Sequence, residues 1–270
     1  MEPMELDNEF ALDIIAPGLE GFEPPHGAFD PLGNWTIAYR VCTLTASCAK
    51  AGTLRLQRTV RNRRTALLSL EYEKTGAGGA RQRVTAGLAC ARDPLSTPRS
   101  WTYSSGIVDA EGNPLANMTL KKSARRRLRT ISIHDGTHTE KLPLPPAYTV
   151  NWALFDAVQR LPRAPFAPLS FTMLDHFDQP KANQVLSYRK AVDVRLGWQR
   201  VKREQYVDLP KGRIRKTRWV KDGGRTVRLH AYDHVGEGIV PWVYWVDDQG
   251  RLLFVVAGLE AYVLESTKGA

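Results

Sequence analysis

The sequence predicts a mainly β protein: a strongly curved antiparallel sheet, a half-barrel, wrapped around one central helix. Three observations carry that expectation. Apolar and polar residues alternate over many short segments, the period-2 mark of strands with one buried face. Gly, Pro, Asn and Asp separate those segments at the spacing of hairpin turns. One stretch, Thr149–Leu161, has helical periodicity instead: Val150, Leu154, Ala157, Val158 and Leu161 share a stripe, with Trp152 and Phe155 on a second apolar flank. A helix apolar on most sides needs cover all round, and the hollow of a bent sheet supplies it. Pro145 and Pro146 precede this segment, and Pro162 cannot continue it.

In chain order, residues 1–33 are rich in Pro, Gly and acidic residues and read as an extended arm, with a short turn at Phe10–Ile15. A single antiparallel β domain follows over 34–266, containing the helix at 149–161. Trp35, Ile37, Tyr39 and Val41 alternate with Thr36, Ala38, Arg40 and Cys42 in the first strand. Thr53–Val60 is the second, and the basic run Arg58–Arg64 reads as its end and a turn. Thr65–Lys74 sets Ala66, Leu68, Leu70 and Tyr72 on one face. Glycines at 76, 78 and 79 turn the chain into Arg81–Ala91, with Val84, Ala86, Leu88 and Cys90 alternating. Arg99–Asp109 follows, then a turn at Glu111–Pro114, strands Leu115–Lys122 and Arg125–His134, a two-residue turn at Asp135-Gly136, and Thr137–Leu144.

Beyond the helix, strands are expected at Leu169–Phe177, Gln184–Leu196, Arg213–Val220 and Thr226–Val235, with turns at Asp178-Gln179-Pro180 and Asp222-Gly223-Gly224. Ile239–Val246 is apolar on both faces, as in a central strand covered on both sides. It turns at Asp247–Gly250 into Arg251–Leu259, and Ala261–Leu264 ends the sheet. No repeat of 20 to 50 residues divides the chain, so one domain is the economical reading.

Lys and Arg outnumber Asp and Glu by 38 to 28 in 270 residues, a formal charge of +10. Such a balance favours a polyanion or an anionic membrane surface as partner, and equally describes a solvated basic surface. No apolar run is long enough for a transmembrane helix. The N-terminus opens acidic, unlike a signal peptide, so the expected location is cytoplasmic, or periplasmic or secreted if an export signal has been removed. Cys42 and Cys48 would bridge a short loop in an exported protein, leaving Cys90 free; three buried thiols are the alternative.

A further pattern lies in the second half. A helix ends in Leu-Pro, an extended segment follows at Phe171–Phe177, and then come a D-x-P-K turn and a strand ending L-S-Y-R. The chain closes on P-W-V-Y-W-V-D-D-Q-G-R-L-L. Over residues 145–265 this resembles a family of bacterial envelope proteins of unknown function. Members of that family are similar in fold to the outer-membrane lipoprotein carriers and the violacein-pathway enzyme VioE. The resemblance implies a curved sheet over a helix and an apolar groove for an acyl chain or flat aromatic ligand. It implies no catalytic residue.

There is no G-x-S-x-G elbow, phosphate-binding loop, dinucleotide G-x-G-x-x-G or paired C-x-x-C, which removes the common nucleotide-binding, α/β-hydrolase and zinc-ribbon readings. His230 and His234 share one face of a strand but stand ~13 Å apart at ~3.3 Å per residue, too far for one metal unless the strand bends. His134 and His138 face opposite ways across a two-residue turn. No metal and no cofactor is expected. Asp175, His176 and Asp178 form a tighter cluster, either an acid–base group or a polar strand end. The basic runs at 121–129 and 213–218, the latter followed by Trp219, fit a nucleic-acid groove or simply the solvent faces of strands.

Two functional expectations follow. The first is a binding protein holding a small apolar or amphipathic ligand, lipid-like or aromatic and anionic in its head group, in a groove lined by Trp152, Phe155, Trp242, Tyr244 and Trp245. The second is a cofactor-independent enzyme moving protons with His176 and Asp175, or with His230 and His234.

Overall fold

The computed structural model describes residues 15, 19–44, 48–209 and 212–269, leaving the expected turn at Phe10–Ile15 outside the described residues except for Ile15. The alternating segments form strands β1 (Trp35–Thr43), β2 (Ala49–Asn62), β3 (Thr65–Thr75), β4 (Arg81–Ala91), β5 (Pro98–Val108), β6 (Leu120–Arg127), β7 (Thr130–His134) and β8 (Thr139–Pro143). After a link of four residues come β9 (Tyr148–Val150), a helical segment, β10 (Leu169–Asp175), β11 (Gln179–Leu209), β12 (Gly212–Val235), β13 (Trp242–Asp247), β14 (Leu252–Ala257) and β15 (Glu260–Gly269). All fifteen belong to one sheet, in the order β8 to β1 followed by β15 to β9. The first and last strands therefore meet in the middle, with Trp35 opposite Gly269 and Thr43 opposite Glu260.

The sheet's two edge strands, β8 and β9, are consecutive in the chain. A link from 144 to 147 spans no more than ~18 Å at ~3.6 Å per residue, so the sheet has to curl until its edges approach. No ladder joins those edges; side chains instead tie β9 and the turn after β10 to β5, the loop before it and β6. The Tyr148 hydroxyl donates to the Pro98 carbonyl, and Thr149 Oγ1 donates to the Leu95 carbonyl at 2.8 Å. Phe177 packs on Tyr103 at 4.8 Å, and Lys122 pairs with Asp178.

Several sequence expectations need correction. The sheet is mixed rather than purely antiparallel, because β9 runs parallel to β10. The helix does not span 149–161: Thr149 and Val150 are taken by the pairing with Met173 and Leu174. What remains is one α-turn, α1 (Leu154–Ala157), flanked by 3-10 turns at Asn151–Ala153 and Val158–Arg160. Leu161 is extended, as a residue before proline tends to be. The strands expected at Leu115–Lys122 and Arg125–His134 are instead β6 and β7, joined at Leu128, whose φ of 55° makes a turn without glycine.

The helical segment is buried on every side from Ala153 to Gln159. Phe155 lies 5.8 Å from Tyr39 of β1, 6.0 Å from Tyr244 of β13 and 5.4 Å from Tyr262 of β15. Asp156, also buried, sits between Arg58 Nε at 2.8 Å and Arg160 at 3.1 Å, and accepts from the Ser96 hydroxyl. Arg58 is thus a core residue and not the exposed strand end its basic neighbours suggested; burial lowers its pKa, and Asp156 offsets part of that.

The arm explains why β13 is apolar on both faces. Tyr244 faces Phe155, while Phe22 of the arm packs on Phe254 of β14 at 4.9 Å, on the side shared by Trp245. Arg251 fixes the arm by donating to the carbonyls of Pro25 and Gly27 at 3.2 and 3.0 Å.

The strands β11 and β12 outrun their neighbours. β10 pairs with β11 only as far as Leu186, and β13 pairs with β12 only from Leu229 onward. The remainder is a two-stranded ribbon. The expected turn at Asp222-Gly223-Gly224 is not a turn: Gly223 and Gly224, both with positive φ, stand opposite Trp198 and Gly197 inside the ladder. A Cβ on Gly224 would come within 2.6 Å of the Leu196 carbonyl oxygen, so this irregularity requires glycine.

Candidate functional site

A cavity of about 360 Å³ opens beside the helical segment, between strands from both halves of the chain. Its aromatic lining comes from five places: Tyr72 on β3, Tyr103 on β5, Trp152 on the first 3-10 turn, Trp242 on β13 and Tyr262 on β15. Trp242 and Tyr262 lie nearly parallel, 6.2 Å apart at 15°. Trp152 meets Tyr262 edge-on at 6.3 Å and Tyr72 at 5.6 Å. In the sheet register Ala257 separates Trp242 from Glu260, and its small side chain leaves the Trp242 ring room to reach Tyr262. Met173, Val84 and Ile239 complete the apolar lining.

Polar lining residues of the cavity are Gln82, Asn151, Asp175, His176 and Glu260. Tyr262 donates its hydroxyl proton to Glu260 at 3.2 Å, and Lys74 pairs with the same carboxylate. Burial pushes the phenols of Tyr72 and Tyr262 upward, with Glu260 adding to it, so both hydroxyls stay protonated and remain donors. Asp175 accepts the backbone N–H of His176 at 3.1 Å, in a turn where His176 and Phe177 both have positive φ. The arrangement offers flat apolar surface, neutral hydroxyl donors and carboxylate acceptors around one space.

Of the residues expected to bind a ligand, Trp152 and Trp242 line this cavity, while Phe155 and Tyr244 stand behind them in the core. Trp245 belongs to the opposite face of β13 and is fully buried there. Of the expected acid–base residues, Asp175 and His176 line the cavity and Asp178 turns away to Lys122. His230 is held by Asp248 at 2.8 Å and by the Tyr188 hydroxyl at 3.3 Å. His234 bonds Gln184 at 3.0 Å and stacks near Phe171; burial lowers its pKa to about 4. Neither histidine lines the cavity.

His134 pairs with Thr139 across a four-residue loop, not with Thr137, and its Nδ1 lies 2.9 Å from the His138 carbonyl. Among the described residues, no three His, Cys, Asp or Glu side chains gather as a metal-binding group. Cys42, Cys48 and Cys90 are all free and buried. No helix in the described residues is long and apolar enough to cross a membrane.

Tyr72, Tyr262 and Glu260 are the site residues that sequence reasoning missed. Tyr72 sits in an ordinary alternating strand and Tyr262 and Glu260 in or beside the buried run Ala261–Leu264, and only the sheet order brings β3, β13 and β15 around the helical segment. Three larger hollows, about 440, 570 and 610 Å³, lie over strands from β15 through β1 to β7 and mix small polar residues such as Ser69, Thr102 and Ser123 with apolar ones such as Leu54, Leu70 and Leu88. They are open and lack a comparable aromatic cluster.

No protein-family model matches the chain, and no curated protein sequence matches it. Among solved structures, the chain is similar to a beta-barrel-like protein of a domain of unknown function, DUF1849, from Brucella abortus. The two share 8% identity and a TM-score of 0.48 over 88% of this chain and 98% of that one. This neighbour is described as barrel-like and of unknown function.

Proposed function

We propose that this protein binds a small aromatic or amphipathic ligand in the cavity beside the helical segment. In this reading the curled sheet is a half-barrel shell around the central helical turn, and the space left between them is the binding site. The observation that carries it is the convergence of Tyr72, Trp152, Trp242 and Tyr262 on one cavity that polar side chains, Asp175, His176 and Glu260 among them, also line. The cavity's size falls in the range of about 300–1,000 Å³ usual for ligand pockets. Its lining includes Asp175 and Glu260 and no Lys or Arg, and Lys74 beside it is already engaged by Glu260. The basic rim that would favour an anionic head group is not at this cavity, so the polar end of the ligand is neutral or cationic.

The test is fluorescence titration with the neutral aromatic probe N-phenyl-1-naphthylamine. Saturable one-to-one binding is expected. Trp242→Ala should weaken it at least tenfold, and Trp245→Phe, on the far face, should leave it unchanged. Absence of saturable binding, or equal affinity in Trp242→Ala, overturns the proposal.

A further inference from the structure

The chain's positive charge is concentrated in one element. Residues 195–225 contain eleven Lys and Arg against three Asp and Glu, eight of the ten net charges of the whole protein. The described residues of this stretch, 195–209 and 212–225, belong to the ribbon of β11 and β12 beyond the point where β10 and β13 stop pairing. The stretch 199–209 alone reaches about 36 Å at ~3.3 Å per residue. The arm covers the base of the ribbon, where Leu196 and Trp198 are buried, but from Gln199 to Gln205 and from Arg215 to Asp222 the ribbon is largely exposed, so this part adds charge and little core.

The register distributes the cations over both faces. Arg200 stands opposite Lys221, and Lys202 opposite Trp219; on the other face Arg203 stands opposite Arg218, and Gln205 opposite Lys216. The Lys202 and Lys221 ammonium groups lie over the Trp219 and Trp198 rings at 5.0 and 4.4 Å. Arg203 and Arg215 have exposed acidic partners in Asp222 and Glu204, whereas Lys216 and Arg218 have none among the described residues. Trp219 is 58% exposed.

We propose that this ribbon docks into the major groove of duplex DNA. That groove is about 12 Å wide, admits a two-stranded β-ribbon, and is walled by phosphates on both sides. A ribbon with cations on both faces matches two walls of negative charge. A flat anionic bilayer would meet only one face and leave the other's cations without partners. This inference stands on the ribbon alone and is independent of the cavity.

The test uses the full chain and a labelled 20-base-pair DNA duplex, followed by fluorescence anisotropy between 50 and 200 mM salt. About five phosphate contacts give a slope of about −4.5 in log affinity against log salt, a loss of roughly 500-fold across that range. Replacing Lys202, Lys216, Arg218 and Lys221 together by Ser should weaken binding at 50 mM at least 100-fold and flatten the slope, with an unchanged melting midpoint. Duplex RNA of the same sequence, whose major groove is deep and narrow, should bind at least tenfold more weakly. The proposal is overturned if the fourfold variant binds as wild type, if RNA binds as well as DNA, or if phosphatidylglycerol vesicles capture the protein while the duplex does not.

Discussion

The strand β12 passes through two environments that differ in almost everything but backbone geometry. From Leu229 to His234 it is flanked on both sides, and Leu229, His230, Ala231, Tyr232 and His234 are all buried. From Arg215 to Trp219 it has one neighbour and every side chain is exposed. Alternation means something different in each place. In the sheet it sorts apolar from polar residues between core and solvent; in the ribbon it sorts cations onto two faces that are both wet. Burial, which supplies most folding free energy, lies in one region, and net charge, which governs association, lies in the other. Substitutions in the two regions should therefore act on different measurements.

The largest effect is expected at Asp156, where the core contains charge. Its carboxylate is shared by Arg58 and Arg160, with all three side chains nearly or fully buried. Asp156→Ala leaves two guanidinium groups without their counter-charge, a loss of about 3–5 kcal/mol, measured by urea unfolding. A loss below 1 kcal/mol would mean that the buried network does not anchor the helical segment.

The second effect depends on pH. His234 is fully buried, and burial lowers its folded pKa to about 4 against the ~6.5 of an unfolded histidine. Its contribution is therefore complete above pH 6.5 and is lost as pH falls through that window towards 4, by up to about 3 kcal/mol. Adjacent Asp233 slopes the other way: burial raises it to about 6 despite Arg189, so its contribution is present below the unfolded value and lost as pH rises through 6. The two partly cancel in the wild type. The measurement is accordingly the difference between wild type and His234→Phe at pH 7 and pH 4.5. A difference independent of pH would show that the imidazole is not sealed from water.

The same contrast explains what was legible in the sequence. Strands whose one face is buried announce themselves, as with Ala66, Leu68, Leu70 and Tyr72 of β3. The helical segment was visible because Leu154, Ala157 and Val158 repeat against a second apolar flank, but its ends were not. Pairing of Thr149 and Val150 with residues more than twenty positions away decided the start. Arg58 looked like part of a basic turn because its partner, Asp156, is 98 positions distant. Trp152 and Trp242 stood out as aromatic; Tyr72, Tyr262 and Glu260 joined them through the sheet order. In the ribbon the signal misleads, since Asp-Gly-Gly has turn composition wherever it occurs, and here the ladder runs on through it with Gly223 opposite Trp198.

The smallest expected effect is the sharpest check on the division of labour. Trp219 is a large aromatic, and a fully buried one replaced by Ala would cost about 3–5 kcal/mol. Here it is 58% exposed, and its described ring partner is the Lys202 ammonium, in a ribbon that borders no core. Trp219→Ala should change unfolding free energy by no more than about 1 kcal/mol, near the range of ordinary surface substitutions. The cation–π contact is worth about 0.5–1 kcal/mol at such an exposed site, and that sets the upper bound. A loss near 2 kcal/mol in urea unfolding would mean that the ribbon folds back on the body in solution, and its two basic faces would then not both be free to meet a partner.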